Sequence, residues 1–391
     1  MKCSLLPDVR QFLSGNSGEH TVPYEKAART VFVAWRDLRF AKGRFALMGA
    51  VVVLITLLVG LLSGLTAGLG RQNTSAITAL PADRIAFEAP ADGQDLSYAE
   101  SVVTESQWQR VAATAGVTAA EPVGISTAKA TAGDARLTVS AFGVRSGSAL
   151  VPGGAPENED TAVLTAPVAE SLGVSPGDVI TLAGRDLVVG TVHGDESFGH
   201  LPVIWIDLDT WQTTAPPAET HTEPAATFVA LRTTADFDST ATDRLAGTTT
   251  VPKDSSLSAI GSYASENGSL QLMRGFLFAI SALVIGAFFT VWTVQRSGDI
   301  AVLEALGAST GRLVRDALGQ AVVLLVGGTA LGTALAAAAG AALAGSVPFA
   351  LTPAALVIPA AVMITLGSLG AAVAVRRITS VDPLTALGSA R

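Results

Sequence analysis

The sequence predicts an α-helical membrane protein with four transmembrane helices and a mixed α/β extracytoplasmic domain between helices 1 and 2. Of its 391 residues, 49% are hydrophobic and only 15% are charged, and the mean hydropathy is +0.47. A soluble protein of this size carries about a quarter of its residues as charges. The deficit is concentrated in long uncharged runs near the two ends, whereas the middle is patterned like an ordinary soluble domain.

The first run, Phe45 to Leu69, has 25 residues without a charge and lies between Lys42 and Arg44 on one side and Arg71 on the other. At about 1.5 Å per residue it is long enough for a hydrocarbon layer of roughly 30 Å. The second, Gly275 to Gln295, lies between Arg274 and Arg296; the third spans Ala317 to Val347; the fourth spans Leu351 to Val375 and ends at Arg376 and Arg377. The first run is far longer than the apolar part of a signal peptide, and its small residues suit helix packing better than processing.

Basic residues set the orientation. Lys26, Arg29, Arg36, Arg39, Lys42 and Arg44 precede the first run; Arg296, Arg312 and Arg315 separate the second from the third; Arg376, Arg377 and Arg391 follow the fourth. Lysine and arginine are retained on the cytoplasmic side, so both termini are expected inside. The segment 70–273 is then outside, and it holds 25 Asp or Glu against 10 Lys or Arg, a net of −15, while the rest of the chain carries +7. The expected order is a cytoplasmic tail and basic surface helix (1–44), helix 1 (45–69), the outer domain and junction (70–273), helix 2 (274–296), a cytoplasmic coupling segment (297–316), helix 3 (317–347), helix 4 (351–375) and a cytoplasmic tail (376–391). Cys3 is the single cysteine, so no intrachain disulfide forms and the outer domain rests on its core.

Within that domain, Asp134 to Val144 alternates as a half-buried strand. Asp160 to Gly194 reads as a strand, a short helix ending near Leu172-Gly173, a turn at Pro176 to Asp178, and strands Val179 to Leu182 and Leu187 to Val192. Leu201 to Trp211 and Ala226 to Thr233 supply further apolar strands. The Pro- and Glu-rich stretches Val151 to Asp160 and Pro216 to Pro224 read as loops.

Enzyme chemistry finds little support. Gly307-Ala-Ser309-Thr-Gly311 matches a nucleophile elbow by letter, but the preceding residues read as helix where a strand is needed. His193, His200 and His221 match no standard zinc spacing. There is no phosphate-binding Gly-x4-Gly-Lys loop, so any ATP hydrolysis belongs to another polypeptide. The basic residues flank membrane spans and the outer domain is acidic, which excludes a nucleic-acid groove.

Two segments remain. Gly261 to Met273 leads into helix 2; if it is helical, Tyr263 and Glu266, three apart, share a face beside the outer membrane surface. They either anchor the interface and helix end or offer oxygen ligands to a lipophilic cargo bearing a metal or positive charge, as tyrosine does for haem iron. On the other side, Ile300, Leu303 and Leu306 form an apolar helical face broken at Gly307. That face either lies on the membrane or inserts into a groove of a cytoplasmic partner.

Gln295 to Thr310, QRSGDIAVLEALGAST, resembles the signature that follows the second span in permeases of the cell-division, lipoprotein-release and macrolide-export superfamily of ATP-binding-cassette systems. Arg376 to Gly388, RRITSVDPLTALG, is similar to their C-terminal motif, and the order of spans also matches. The resemblance runs from about Val31 to the end, leaving Met1 to Thr30 outside it. It implies a homodimer with two copies of a cytoplasmic ATPase, which binds ATP and Mg, docked beneath it. Ile300, Leu303, Glu304, Leu306 and Arg312 would form the coupling contact that passes closure to the outer domains, the mode called mechanotransmission.

A narrower resemblance is to the haem-exporting permeases of Gram-positive bacteria, carried by Val31 to Gly49, Ser197 to Trp211 and Ser262 to Ser281. It implies a multi-pass protein of a Gram-positive plasma membrane that takes haem sideways from the outer leaflet. The substrate-binding set would be Tyr263, Glu266, Phe198 and Met273, with no intrinsic cofactor and no metal site independent of haem. Related sequences tend to have Tyr where this chain has Phe198. Export of another amphiphile (antibiotic, peptide or lipid) and signalling to a cell-wall hydrolase are the alternative functions.

Overall fold

The computed structural model describes residues 42–151, 153–215, 224–295, 309–343, 345 and 347–378. Among the described residues, four helices are long and apolar enough to span a membrane: α1 (Lys42–Thr78) and, after the outer domain, Gly261–Gln295, Thr310–Ala342 and Pro353–Ile378. These four membrane-spanning helices flank a mixed α/β extracytoplasmic domain inserted between the first and second. Helix α1 runs nine residues past its apolar stretch, because Arg71 to Thr78 has a folded domain to pack against instead of lipid.

The chain forms two compact units. The first contains 42–52, 283–295, 309–328 and 364–378 among the described residues; Met48, Val52, Phe289, Leu325 and Ala371 are buried in it. Phe289 and Trp292 meet edge to face at 6.2 Å between ring centres.

The second unit contains, among the described residues, 53–151, 153–215, 224–282, 329–343, 345 and 347–363, and includes the described part of the outer domain. Its elements in order are β1 (Arg84–Glu88), β2 (Val103–Thr104), α2 (Glu105–Ala112), β3 (Val117–Ala132), β4 (Ala135–Val144), β5 (Thr161–Leu164), α3 (Ala166–Leu172), β6 (Val179–Leu182), β7 (Arg185–Val192), β8 (Ser197–Phe198) and β9 (Leu201–Asp207). There follow α4 (Leu208–Thr214), β10 (Ala225–Ala226), β11 (Phe228–Thr233), α5 (Ser239–Ala246), β12 (Thr248–Pro252) and α6 (Lys253–Ser256). Helices α7 (Gly261–Gln295), α8 (Thr310–Ala342) and α9 (Pro353–Ile378) complete the chain.

Among the described residues, ten strands form one sheet in the order β12-β1-β11-β3-β4-β9-β5-β7-β6, with β8 paired to β9, and β2 pairs with β10 in a sheet of two. Strand β3 is long enough to serve twice. Its first half pairs with β11, its second half with β4, and Ala130 and Thr131 also pair with β6, closing a ring from β3 through β4, β9, β5, β7 and β6. Alternate residues of the ring strands, Val139 and Ala141, Ala162 and Leu164, Ile180 and Leu182, Ile204 and Ile206, join one buried cluster. The intervening Phe142, Val163, Val203 and Trp205 join another. Strand β9 is therefore buried on both faces, which explains its unbroken apolar run.

The segment Leu201 to Trp211 is not one strand. Asp207 ends β9 and caps α4, its carboxylate accepting from the Asp209 amide at 2.9 Å. Trp211, on α4, then lies across the paired Gly124 and Gly143, where any side chain would collide with its ring, and its Nε1 donates to Ser126 Oγ at 3.0 Å.

In the membrane part of this unit, α8 ends at Ala342, before its apolar run does, and α9 begins at Pro353. In the connection, the Phe349 ring is seated between Gly64 of α1 and Gly340 of α8, and the Ala350 amide donates to the Gly64 carbonyl at 3.0 Å. A methyl group at Gly64 would run into the Phe349 ring. Gly64→Ala should destabilise the protein by about 1–3 kcal/mol, the usual cost of overpacking. Thermal unfolding in detergent checks this, and Phe349→Ala in the same chain should recover part of the loss.

Tyr98 is buried among Phe87, Phe198 and Phe228, with ring centres at 4.8, 5.5 and 5.3 Å, and its Oη lies 2.8 Å from Ser256 Oγ. Burial pushes this phenol above its usual 10.0, opposed by the weaker effect of the Ser256 hydrogen bond. The folded state keeps the proton that the unfolded chain releases, so stability is intact below pH 10 and falls as pH rises further. Unfolding measured against pH should show that alkaline decline, and Tyr98→Phe should flatten it.

Candidate functional site

The outer end of α1 carries polar residues because it has left the apolar run, and the β8–β9 hairpin is fastened to it. The hairpin turns at Gly199-His200, with φ of +57° and +66°, the left-handed pair that a two-residue turn of matching twist requires. The Gly199 and His200 amides donate to the Asn73 and Gln72 carbonyls at 3.1 and 3.2 Å. The Ser197 amide donates to Ser75 Oγ at 2.8 Å, and that hydroxyl donates to the Ser197 carbonyl at 3.2 Å. Arg71 adds an ion pair to Asp195, its Nη2 donating to both carboxylate oxygens at 2.8 Å. That pair is exposed on both sides and contributes little.

The turn delivers His200 to the first turns of α7. Its Nε2 lies 2.9 Å from Glu266 Oε2, 3.1 Å from Glu266 Oε1 and 2.9 Å from Asn73 Nδ2. Asn73, only 1% exposed, donates from Nδ2 to Glu266 Oε2 at 3.1 Å and accepts the Ser262 hydroxyl on Oδ1 at 2.6 Å. A ring nitrogen carrying its hydrogen satisfies the carboxylate; a bare one satisfies only the amide. The carboxylate is the stronger partner, so the arrangement favours hydrogen on Nε2 and two donors converging on Glu266. The side chains of His200 and Glu266 remain 29% and 42% exposed.

The segment Gly261 to Met273 is helical, as the first turns of α7, so Tyr263 and Glu266 do share a face, and Met273 lies seven residues beyond Glu266 on that face. Tyr263 is half-buried against the core cluster that holds Ile77, Phe142 and Trp205. Phe198 packs on the same cluster, edge to face with Tyr98 and with Phe142 at 5.5 and 5.6 Å. Met273 is 51% exposed. Phe198 and Tyr263 thus pack on one core cluster, Glu266 lies three residues after Tyr263 on α7, and Met273 is two turns further along the helix.

Sequence reasoning passed over Asn73 and took His200 only as a member of a doubtful metal trio. Its signal was the Gly-His pair between two strands, which marks a tight turn. His193 is elsewhere, exposed beside Gly153. His221 lies outside the described residues, as do Ile300, Leu303, Glu304 and Leu306 of the coupling segment. Arg312 is exposed on the first turn of α8, its amide donating to the Ser309 carbonyl at 2.9 Å.

Residues 46–245 match the MacB-like periplasmic core domain, and residues 272–383 match the FtsX-like permease C-terminal domain. A Staphylococcus haemolyticus protein named "Putative hemin transport system permease protein HrtB" is 23% identical over 91% of this chain and 99% of its own length. The Mycobacterium tuberculosis "Uncharacterized ABC transporter permease Rv2563" is 23% identical over 92% of this chain and 99% of its own. The periplasmic region of MacB from Actinobacillus actinomycetemcomitans is 13% identical, covers 46% of this chain and 92% of that chain, and has a TM-score of 0.33. The first of these matches alone spans more than half of the chain, and the two together take in most of the outer domain and of the last three membrane helices, leaving 246–271 outside both: the protein belongs to the FtsX/MacB-like superfamily of ABC-transporter permeases.

Proposed function

We propose that this permease is the membrane subunit of an ATP-driven exporter that takes haem from the outer leaflet of a Gram-positive plasma membrane. Both termini are cytoplasmic in this reading, as the basic flanks require. Two copies of the chain stand over two copies of a separate ATPase that binds ATP and Mg.

The observation that carries the cargo assignment is Glu266, a partly exposed carboxylate on the first turns of a membrane-spanning helix, with Tyr263 and Met273 on the same face. Carboxylate and phenolate oxygens and thioether sulfur are all ligands that ferric or ferrous haem accepts, and the macrocycle itself suits the apolar remainder of the helix. Similarity to the staphylococcal relative named for hemin transport, over nearly its whole length, supports the same reading. Phe198, lacking the phenol, offers the cargo an aromatic edge only.

A second reading, export of another amphiphile, is favoured by a cleft of about 680 Å³ in the outer domain. It is lined by Tyr98, Ile125, Phe198 and Trp211 on its apolar side and by Ser126 and Gln212 on its polar side. Stimulation of ATP hydrolysis by such a compound, with no response to haem, would favour that reading.

The purified permease–ATPase complex should give an absorbance change with haemin. Glu266→Ala should weaken binding about tenfold or more, the effect of losing a contact to a charged group, and Tyr263→Phe should weaken it less. Unchanged spectra and unchanged haem tolerance in both variants would remove these residues from the site. Leu303→Asp, in the proposed coupling segment, should abolish haemin-stimulated ATP hydrolysis while leaving the haemin spectrum in place.

A further inference from the structure

We propose that Asn73, His200 and Glu266 form a latch that the cargo itself opens, so that occupation of Glu266 loosens the first turns of α7 from the hairpin and from α1. The proposal rests on the reading of Glu266 as the cargo contact. Both carboxylate oxygens are already in use: Oε1 accepts from His200 Nε2, and Oε2 accepts from His200 Nε2 and from Asn73 Nδ2. Yet the side chain is 42% exposed, so an incoming ligand reaches it. An oxygen that coordinates ferric iron gives its electron density to the metal and turns toward it, which weakens its hydrogen bonds to the other two residues. Cargo binding and the latch therefore compete for the same lone pairs. The carboxylate replaces an axial water or hydroxide on the iron; no oxidation state changes, and His200 keeps its hydrogen.

The three residues sit on three elements that are fastened differently. The hairpin holds α1 through main-chain bonds at Gly199 and His200, together with Ser75 on Ser197. Among the described residues, the polar ties from α7 to α1 and to the hairpin are side-chain bonds made by Ser262 and Glu266. Opening the latch thus leaves the hairpin on α1 and frees the Glu266 turn of α7, whose start keeps the Ser262 bond and the Tyr263 contact. His200 is a positioning residue in this scheme, because it acts on the cargo through Glu266. Coupling of this kind is reciprocal: whatever weakens the latch strengthens cargo binding.

That reciprocity gives the test its sign. His200→Gly removes the imidazole while easing a backbone already at φ +66°, so the turn is kept. Haemin titration of the purified permease–ATPase complex should show His200→Gly binding about tenfold more tightly, the effect of removing one hydrogen bond to a charged group. His200→Gln, which returns an N–H donor near the position of Nε2, should bind as the wild type does. Hydrogen exchange at residues 261–268 should rise on haemin addition in the wild type and be high without haemin in His200→Gly. Weaker or unchanged haemin binding by His200→Gly, with wild-type binding still sensitive to Glu266→Ala, overturns the latch and leaves the haem reading standing. No haemin binding by the wild type, or none that depends on Glu266, removes the haem reading and the latch with it.

Discussion

The outer domain is built on the last turns of α1. Ala76, Ile77 and Leu80 are buried in the same cluster as Phe87, Phe142, Trp205 and Phe228, so the end of a membrane helix is also part of a soluble core. Burial of a large aliphatic side chain stabilises by roughly 1.5–3 kcal/mol, and with Cys3 as the single cysteine no disulfide shares the task. A helix crossing hydrocarbon keeps its backbone bonds internal and is stiff along its length. Rooting the domain in such a helix gives it a fixed base at the membrane surface.

The second membrane helix is attached on other terms. Ile260 closes the same cluster, and α7 begins at the next residue, so the core reaches the helix start and ends there. Tyr263 extends the apolar contact by one turn; on either side of it, at Ser262 and Glu266, the ties are polar and made by side chains. Apolar contact depends little on direction, whereas a hydrogen bond weakens steeply as its geometry is lost. Root and joint thus differ in kind: α1 is fixed by buried area, and the first turns of α7 are held in part by side-chain hydrogen bonds.

Much of the fold was legible because its signals are local. The strands at Ala135–Val144, Val179–Leu182 and Arg185–Val192, and the helix ended by Gly173 in a left-handed conformation, follow from alternation and turn residues. The long strand β3 was missed because Val117 to Ala132 is largely small and polar; it is held by partners on both sides, which no local pattern reveals. Helix α4 was read as strand because β9 supplies an apolar run up to it, although Asp207 is an ordinary helix cap. At the junction, the shared face of Tyr263 and Glu266 was legible from spacing alone. Their neighbours Asn73 and His200 were not, since 193 residues separate Asn73 from Glu266 and only the folded hairpin brings His200 between them.

The position of Glu266 follows from the same physics. A carboxylate in mid-membrane is costly, and isolated helices have few donors to offset that cost, since their amides are already bonded. At the outer end of α7, a hairpin from the soluble domain supplies an imidazole and the polar end of α1 supplies an amide. A partly exposed anion on a membrane helix is therefore sustainable at this boundary, where the domain's polar groups reach the helices, and not a few turns deeper. On the proposed reading, an oxygen-ligating cargo contact is confined to the plane where the outer domain is rooted, and recognition and the joint of the domain fall on the same residues.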